Sequence, residues 1–484
     1  STTDAAPHQD APETPRWTPL SCPPEPWGSA ALTAANLSDP ALAAVAAALH
    51  RGDRNGACAA LAGYYRTGTG SPSLRRPNLT GWSNLEVARG ILRDQYSFYG
   101  ETATVPRLPS GGLDWNFTGP EHDLQWSLAL NRHGQFRTLA YAYLVTGNST
   151  FAAFLDALVV DWVGFAGRAP ATDSCSPAVS NCHWIPDWLT LDSGIRMQAW
   201  PAAFYAACGA PEFQDSTLLL MLASINDHNQ FLLRNPIDSN NWASAVETGM
   251  VASAVAFPEL ANASVWFVAA FDRAYLGDEM ALSVYPDGVE SEMTAHYDLI
   301  TARAFFVMKQ LCGSSGMSVP ARFNGVMEAM WNYLAYVMDY DHVLPLYGDA
   351  DLDDITVDLL EAASAFNRDD WRYLATSGRE GSTPDALPSQ FFPWGGQLAM
   401  RNAWPGSAAA PNASVDAVWA WFNAQGPFGS DGHAHEDKLS FTLRAYGAHF
   451  LVDAGRFQYN GDLARYLTEY ARLTQAHDAA MLDG

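Results

Sequence analysis

The sequence predicts an α+β protein of more than one domain, with a long helical part followed by a smaller β-rich part. Three observations carry this. A chain of 484 residues is too long for one compact core. From about residue 30 to 380 the apolar residues recur with a helical period. After about 390 they fall in short alternating runs separated by turn residues. Hydrophobic residues make up 48% and aromatics 12%, enough to fill cores in both parts, so disorder is expected only at the ends.

Residues 1–28 hold seven prolines and few apolar residues, as an extended arm would. Residues 29–385 form the helical domain. Within it Phe151, Phe154, Leu155, Leu158, Val159 and Trp162 fall at i, i+3, i+4, i+7, i+8 and i+11, one apolar face. Similar stretches lie near 120–146, 188–207, 216–233, 243–256, 265–282, 296–312, 326–338 and 355–366. Helices in succession with little strand between them pack as an all-α layer. Pro384, Pro388 and Pro393 mark a junction. Residues 386–484 open a β-domain: Val415–Phe422 and Leu439–Tyr446 read as strands, and His449–Gly455 as a strand ending in a glycine turn. This region is too short for a large sandwich, so it is expected to be cut short or completed by another fragment.

Lysine and arginine total 27 against 52 aspartate and glutamate, a net charge of −25. That balance argues against nucleic acid and anionic membranes as partners, and an acidic substrate would need a local basic cleft. Six cysteines are widely spaced without a Cys-x-x-Cys pair, so a thiolate zinc site is not expected; Cys175 and Cys182 are the expected disulfide. Asn-x-Ser/Thr sequons stand at Asn36, Asn78, Asn116, Asn148, Asn262 and Asn412, against roughly two or three by chance. Their excess points to a secreted, glycosylated protein. No uninterrupted apolar run reaches ~18 residues. With no charged-then-apolar leader, the chain is expected to start as a mature form.

Three groups could carry chemistry. The first is Asp238-Ser239-Asn240-Asn241-Trp242. Asn240 reads as a helix N-cap, while the Asn241 amide could hydrogen-bond a carboxylate without bringing a competing charge. The second is Pro286-Asp287-Gly288, a turn, followed by a helix expected to carry Glu292, His296 and Tyr297 within about one turn. There Glu292 could hold His296 in one tautomer; a surface salt pair with a core tyrosine is the other reading. The third is Gly432-His433-Ala434-His435, entering a strand-like run. In strand geometry the two imidazoles share a facing, one free to act as base and the other as metal ligand; a polar turn with incidental histidines is the alternative. His435, Asp453 and His477 make a nitrogen–oxygen set suited to zinc. Asp349, Asp351, Asp353 and Asp354 lack the glycine and glutamate of a calcium loop and read as a solvated acidic turn.

Together and in order, these pieces resemble the heparinase II/III-like polysaccharide lyases, a group that includes alginate lyases and is related to the dermatan sulfate epimerases. Trp126 to His133 resembles an early Leu-Asn-Arg stretch, and Trp188 to Arg196 a Trp…Leu-Glu-x-Gly-Ile-Arg element. Asn240-Asn241-Trp242, Asp287 to Tyr297, and His433-Ala434-His435-Glu436-Asp437-x-Leu-Ser match further motifs. So do Leu451 to Gly455 and Gln475-Ala476-His477-Asp478. The likeness runs from about 115 to the end. Trp242 stands where some members have His, which removes one candidate base, and Asp478 stands for Asn.

The resemblance implies an (α/α) toroid followed by antiparallel sheets that are longer in other members. It implies β-elimination on a 4-linked uronic acid. The C5 proton is weakly acidic beside an ionised carboxylate, so the developing enolate-like dianion needs preorganised hydrogen bonds. Asn241 would supply them. Tyr297 would take the C5 proton, protonate the departing O4, or both, with His433 as base or activator. Arg132, His133, Trp188, Arg196, Trp242, His296 and Glu292 would bind the sugar. Zinc on His435, Asp453 and His477 would be structural. The expected partner is an anionic polysaccharide: alginate, glucuronan or a glycosaminoglycan. A homodimer stays open. The competing readings are a uronate C5-epimerase, which returns the proton without cleavage, and a non-catalytic glycan-binding protein.

Overall fold

The computed structural model describes residues 22–67, 72–173, 186–237, 240–272, 283–425, 433–457, 459 and 464–480. The expected Cys175–Cys182 bridge lies outside them. Among the described residues Cys22 is bonded to Cys58, tying the segment before helix Trp27–Ala34 to helix Arg54–Arg66.

Helices dominate as far as residue 375, arranged as a toroid, and an antiparallel sheet follows. The expected helix near 120–146 is two, Leu124–Asn131 and Gly134–Thr146, because His133 between them takes a left-handed backbone at φ 60°. Inside the helical part Gln95–Phe98 (β1) and Glu101–Thr104 (β2) pair as a hairpin that helical periodicity did not predict. Ser149–Ala166 is long and apolar enough to cross a membrane by composition. Here its Phe151, Leu155, Leu158, Val159 and Trp162 face is buried among other helices. Asp161 on the same helix accepts bonds from Leu113 N at 2.9 Å and Trp115 Nε1 at 3.0 Å.

Helices Thr190–Ala207 and Asn240–Ala256 pack backbone to backbone. A Cβ on Gly249 would lie 2.2 Å from Gly194 O, and one on Gly194 would lie 2.7 Å from Val246 Cα. No side chain fits at either position, and this approach sets the start of the second helix, where Asn241 stands.

The sheet runs in the order Gln390–Phe392 (β3), Gln397–Arg401 (β4), Trp419–Asn423 (β5), Ser440–Ala445 (β6) and Ala448–Leu451 (β7), each antiparallel to its neighbour. The expected strand from Val415 starts only at Trp419; residues 413–416 form a helical turn. The face carrying Gln397, Arg401, Trp421 and Arg444 is buried. Its polar groups are met by the helical domain: Gln397 Nε2 donates to Met293 O at 3.0 Å, and Arg401 Nη1 to Tyr336 O at 2.7 Å. The other face places Phe391, Leu398, Phe422 and Phe441 in one cross-strand row, with Phe391 and Phe441 exposed. After residue 385 the described residues form one sheet rather than a two-layer sandwich.

Candidate active site

The site forms where the helical domain meets the turns that flank β6 and β7. Asn240 takes a left-handed backbone at φ 70°, which asparagine tolerates. Its Oδ1 accepts the Trp242 N–H at 2.9 Å, capping the helix as expected. Asn241 follows. Its Oδ1 is buried with no hydrogen-bond partner among the described residues. A buried amide oxygen left unpaired is costly, which makes Asn241 a candidate to meet a ligand.

Gly288, at φ 91°, leaves no room for a Cβ, which would sit 2.2 Å from Ala329 O. The helix that follows begins at Ala295, capped by Thr294, whose Oγ1 accepts the Tyr297 N–H at 3.1 Å. Glu292 therefore precedes the helix, and the expected i, i+4 pairing with His296 does not form. His296 Nδ1 pairs with Asp353 Oδ2 at 2.7 Å. Glu292 Oε1 lies 3.3 Å from His433 Nε2, and its Oε2 accepts the Asn241 N–H at 3.4 Å.

Residues 433–435 precede β6 and are not strand. The two histidines are related through one carboxylate rather than through pleat geometry. His433 Nδ1 lies 2.8 Å from Asp349 Oδ2, and His435 Nε2 lies 2.8 Å from Asp349 Oδ1. Burial alone would raise the Asp349 carboxyl, but the two imidazoles outweigh it and hold it well below the usual carboxylate range. His433 keeps 21% of its side chain exposed and His435 none, so only His433 can meet a substrate.

The His433 ring stacks on Tyr297, with centroids 3.9 Å apart at 19°. Tyr459 completes the group: its hydroxyl is 2.6 Å from the Tyr297 hydroxyl and 3.2 Å from His433 Nδ1. Burial, with Asp349's charge adding and Arg456 opposing, pushes the Tyr459 phenol up to about 12. Tyr297 is raised further, by burial first and Tyr459 second. Both phenols keep their protons at neutral pH. Tyr459 was not expected from sequence, where nothing but its place a few residues after Asp453 marks it.

Behind His435 lies a second group. Ligand atoms of Asp437, Asp453 and His477 all lie within 4.8 Å of one another. His477 Nδ1 is 2.6 Å from Asp453 Oδ2, and the His435 ring is 5.4 Å from the His477 ring. Burial pulls the His477 imidazole down, but the Asp453 carboxylate outweighs it and raises it. Burial raises the Asp437 carboxyl. His435 Nδ1 and His477 Nε2 are buried without partners among the described residues. Two orphaned imidazole nitrogens beside two carboxylates fit a zinc-type donor set. Asp437, absent from the expected ligands, continues the His433, His435 spacing and could have been read from it.

The expected sugar-binding residues divide. His133, Trp188 and Arg196 are core. His133 stacks on Phe136 at 4.3 Å and accepts from Trp200 Nε1 at 2.9 Å; burial first, then Arg196 and His228, drive its imidazole well below the usual value. Trp188 Nε1 donates to Ala166 O at 2.9 Å. Arg196 lies over Trp162 at 4.5 Å and donates to Asp187 O at 2.6 Å, with burial lowering it to about 10. All three side chains are buried in the helical domain, away from the surface a sugar would meet, and His133 Nε2 and Arg196 Nε have no partner among the described residues. Arg132 stays half-buried, its Nε 2.7 Å from Asp192 Oδ1 and its Nη1 3.3 Å from the exposed Tyr99 hydroxyl. Trp242 is half-buried against Leu128, Leu189, Leu191 and Ala245.

Known proteins match along the whole of this arrangement. A model described as heparinase II/III N-terminus covers residues 31–373, and one described as heparinase II/III-like, C-terminal, covers 385–484. A heparin-sulfate lyase of Bacteroides stercoris is 24% identical over 449 residues, 88% of this chain and 64% of that protein. One of Pedobacter heparinus is 24% identical over 372 residues, 75% of this chain and 52% of that protein. The chain thus spans less than two thirds of these relatives. A heparinase III structure has a TM-score of 0.79 at 20% identity, covering 92% of this chain and 70% of its own. A heparan sulfate lyase structure from Pedobacter heparinus has a TM-score of 0.64 at 22% identity, covering 94% and 70%. At such identities the structures carry the fold, and the sequence models carry the lineage: the chain belongs to the heparinase II/III family.

Proposed function

We propose that this chain is a polysaccharide lyase that cleaves a 4-linked uronic-acid polysaccharide by β-elimination. The observation that carries it is the cluster of Tyr297, Tyr459 and His433, joined through the Glu292 carboxylate to the backbone N–H of Asn241. Asn241 would donate from its Nδ2 amide to the uronate carboxylate and stabilise the charge that grows on it as C5 loses its proton. His433, its Nδ1 held by Asp349, would take that proton on its other ring nitrogen. Tyr297, kept protonated by burial, would hand a proton to the departing O4. A 4,5-unsaturated uronate end would result. Arg132, Trp242 and Tyr99 would hold the sugars beside the reacting one.

The heparin-sulfate lyases among the relatives favour a glycosaminoglycan over alginate as substrate. The test is a panel of purified uronans, read by the ultraviolet absorbance of the unsaturated uronate and by deuterium uptake at C5. New absorbance on a glycosaminoglycan is expected. Deuterium uptake without new chain ends would replace the reading with an epimerase. Neither signal on any uronan would leave a glycan binder.

Zinc is proposed on His477, Asp453, Asp437 and His435, tying the turns around β6 and β7 and taking no part in the proton transfers. Metal analysis should find about one ion per chain. Chelation should lower the melting temperature; a metal-free protein of unchanged stability would refute the site. A secreted location is supported by the Cys22–Cys58 bond and by exposed sequon asparagines Asn78, Asn116 and Asn148. The exposed phenylalanine row on the sheet supports a second β-layer supplied by a further fragment.

A further inference from the structure

The acidic stretch from Asp349 to Asp354 reads from sequence as a solvated turn. Three of its carboxylates face the site instead. Asp349, 1% exposed, gives one oxygen to His433 and the other to His435. Asp351 Oδ1 accepts from Arg456 Nε at 2.8 Å, and that guanidinium lies 5.0 Å from the Tyr459 ring centroid. Asp353 Oδ2 pairs with His296 Nδ1 at 2.7 Å, and the His296 ring meets the Tyr297 ring edge-on at 5.1 Å. Each second residue thus reaches a group belonging to, or touching, a different member of the Tyr297, Tyr459 and His433 set.

The backbone is laced to the same partners. Asp349 N–H donates to His433 O at 2.8 Å, Gly348 N–H to Asp437 Oδ2 at 2.8 Å, and Arg456 N–H to Ala350 O at 3.2 Å. Gly348 has φ 56°, and a Cβ there would lie 2.7 Å from both His433 O and Thr294 Cγ2. A Cβ on Gly455 would lie 2.4 Å from Ala350 O. Here the helical domain and the β-domain touch main chain to main chain.

We propose that residues 348–353 are the positioning element of the site, with Asp349 holding the His433 ring against Tyr297 and Tyr459. His433 and Tyr459 belong to the β-domain and Tyr297 to the helical domain, so something must set their register across the boundary. Proton transfer falls off steeply when donor and acceptor drift by about 1 Å, and this segment fixes that spacing. Asp349 is buried, with both carboxylate oxygens taken by imidazoles. It acts through His433 and is a positioning residue. This rests on the β-elimination reading only in that the cost is read as a rate.

The test uses the full chain. Asp349→Asn should lower kcat by about 10–100-fold, as the loss of an orienting partner does, and leave KM within about twofold. Asp349→Glu should recover part of kcat. A crystal structure of Asp349→Asn should show the His433 ring moved off Tyr297 with the rest of the fold in place. Wild-type kcat, or an unmoved His433, would overturn the proposal. So would loss of bound metal in step with activity, because Asp349 would then serve His435. An inactive wild type would end the β-elimination reading, while the crystal structure would still decide whether Asp349 places His433. Should Asp349→Asn fail to fold, Asp351→Asn at a half-exposed carboxylate serves in its place. A smaller fall in kcat with Tyr459 displaced supports the proposal, and no change in either overturns it.

Discussion

Tyr297 shows what a single residue contributes and how little of that its own letter reveals. Its hydroxyl bonds to Tyr459 and its ring stacks on His433, so removing the oxygen breaks one hydrogen bond and leaves the stack. Tyr297→Phe should therefore lower kcat by about 10²–10⁴-fold, the range for loss of a general acid or base. The melting temperature should stay close to wild type, because Tyr459 keeps His433 as a partner. Turnover near wild type in a folded variant would take Tyr297 out of the chemistry. Tyr297, Asn241 and His433 were all legible in the sequence, as residues in motifs of recognisable order. Tyr459 and Asp349 were not picked out for the site. Their roles come from partners 162 and 84 positions away, Tyr297 and His433 respectively, and spacing does not encode such distances. His133, Trp188 and Arg196 stand in motifs of the same kind but lie buried. A motif marks residues that matter, but a buried cation or imidazole can matter by filling a core.

Among the elements, helices Thr190–Ala207 and Asn240–Ala256 are the most constrained pair. Their glycines permit an approach that side chains would prevent. Gly249→Ala should destabilise the fold by about 1–3 kcal/mol, the usual cost of forcing extra volume into a packed interface. It should also lower activity, because the second helix presents Asn241. Denaturant midpoints and kcat measured on the same preparation check both effects, and a midpoint equal to wild type would show that the helices can part without loss. Helices with a clean apolar stripe, such as Ser149–Ala166, were readable because burial and periodicity agree. The β1–β2 hairpin escaped notice because four-residue strands are too short to establish a period. Glu292 was placed in a helix that begins three residues later, since Thr294 caps it.

At the scale of the whole molecule, burial of phenols makes alkaline stability a collective property. Tyr336 and Tyr459 are each pushed up to about 12, by burial first, and Tyr65, Tyr297 and Tyr333 are raised as well. A buried phenol favours its neutral form, so its contribution is whole below pH 10, where folded and unfolded chains both hold the proton. It is lost between about pH 10 and about pH 12, as the unfolded chain ionises first. The melting temperature should fall steeply across that window. Tyr336→Phe should shrink the fall, and a flat profile to pH 12 would show that these phenols ionise freely in the fold. By itself the sequence determined the order of the two domains, the helical period of the first, and the residue types that suit proton transfer at a uronate. It could do so because periodicity, turn residues and short motifs are local. Only the tertiary structure decided which imidazole stays exposed, which carboxylate holds it, and which cation is core. Those outcomes depend on burial and on contacts across the domain boundary, where Asp349 and Tyr459 converge on His433 from distant parts of the chain.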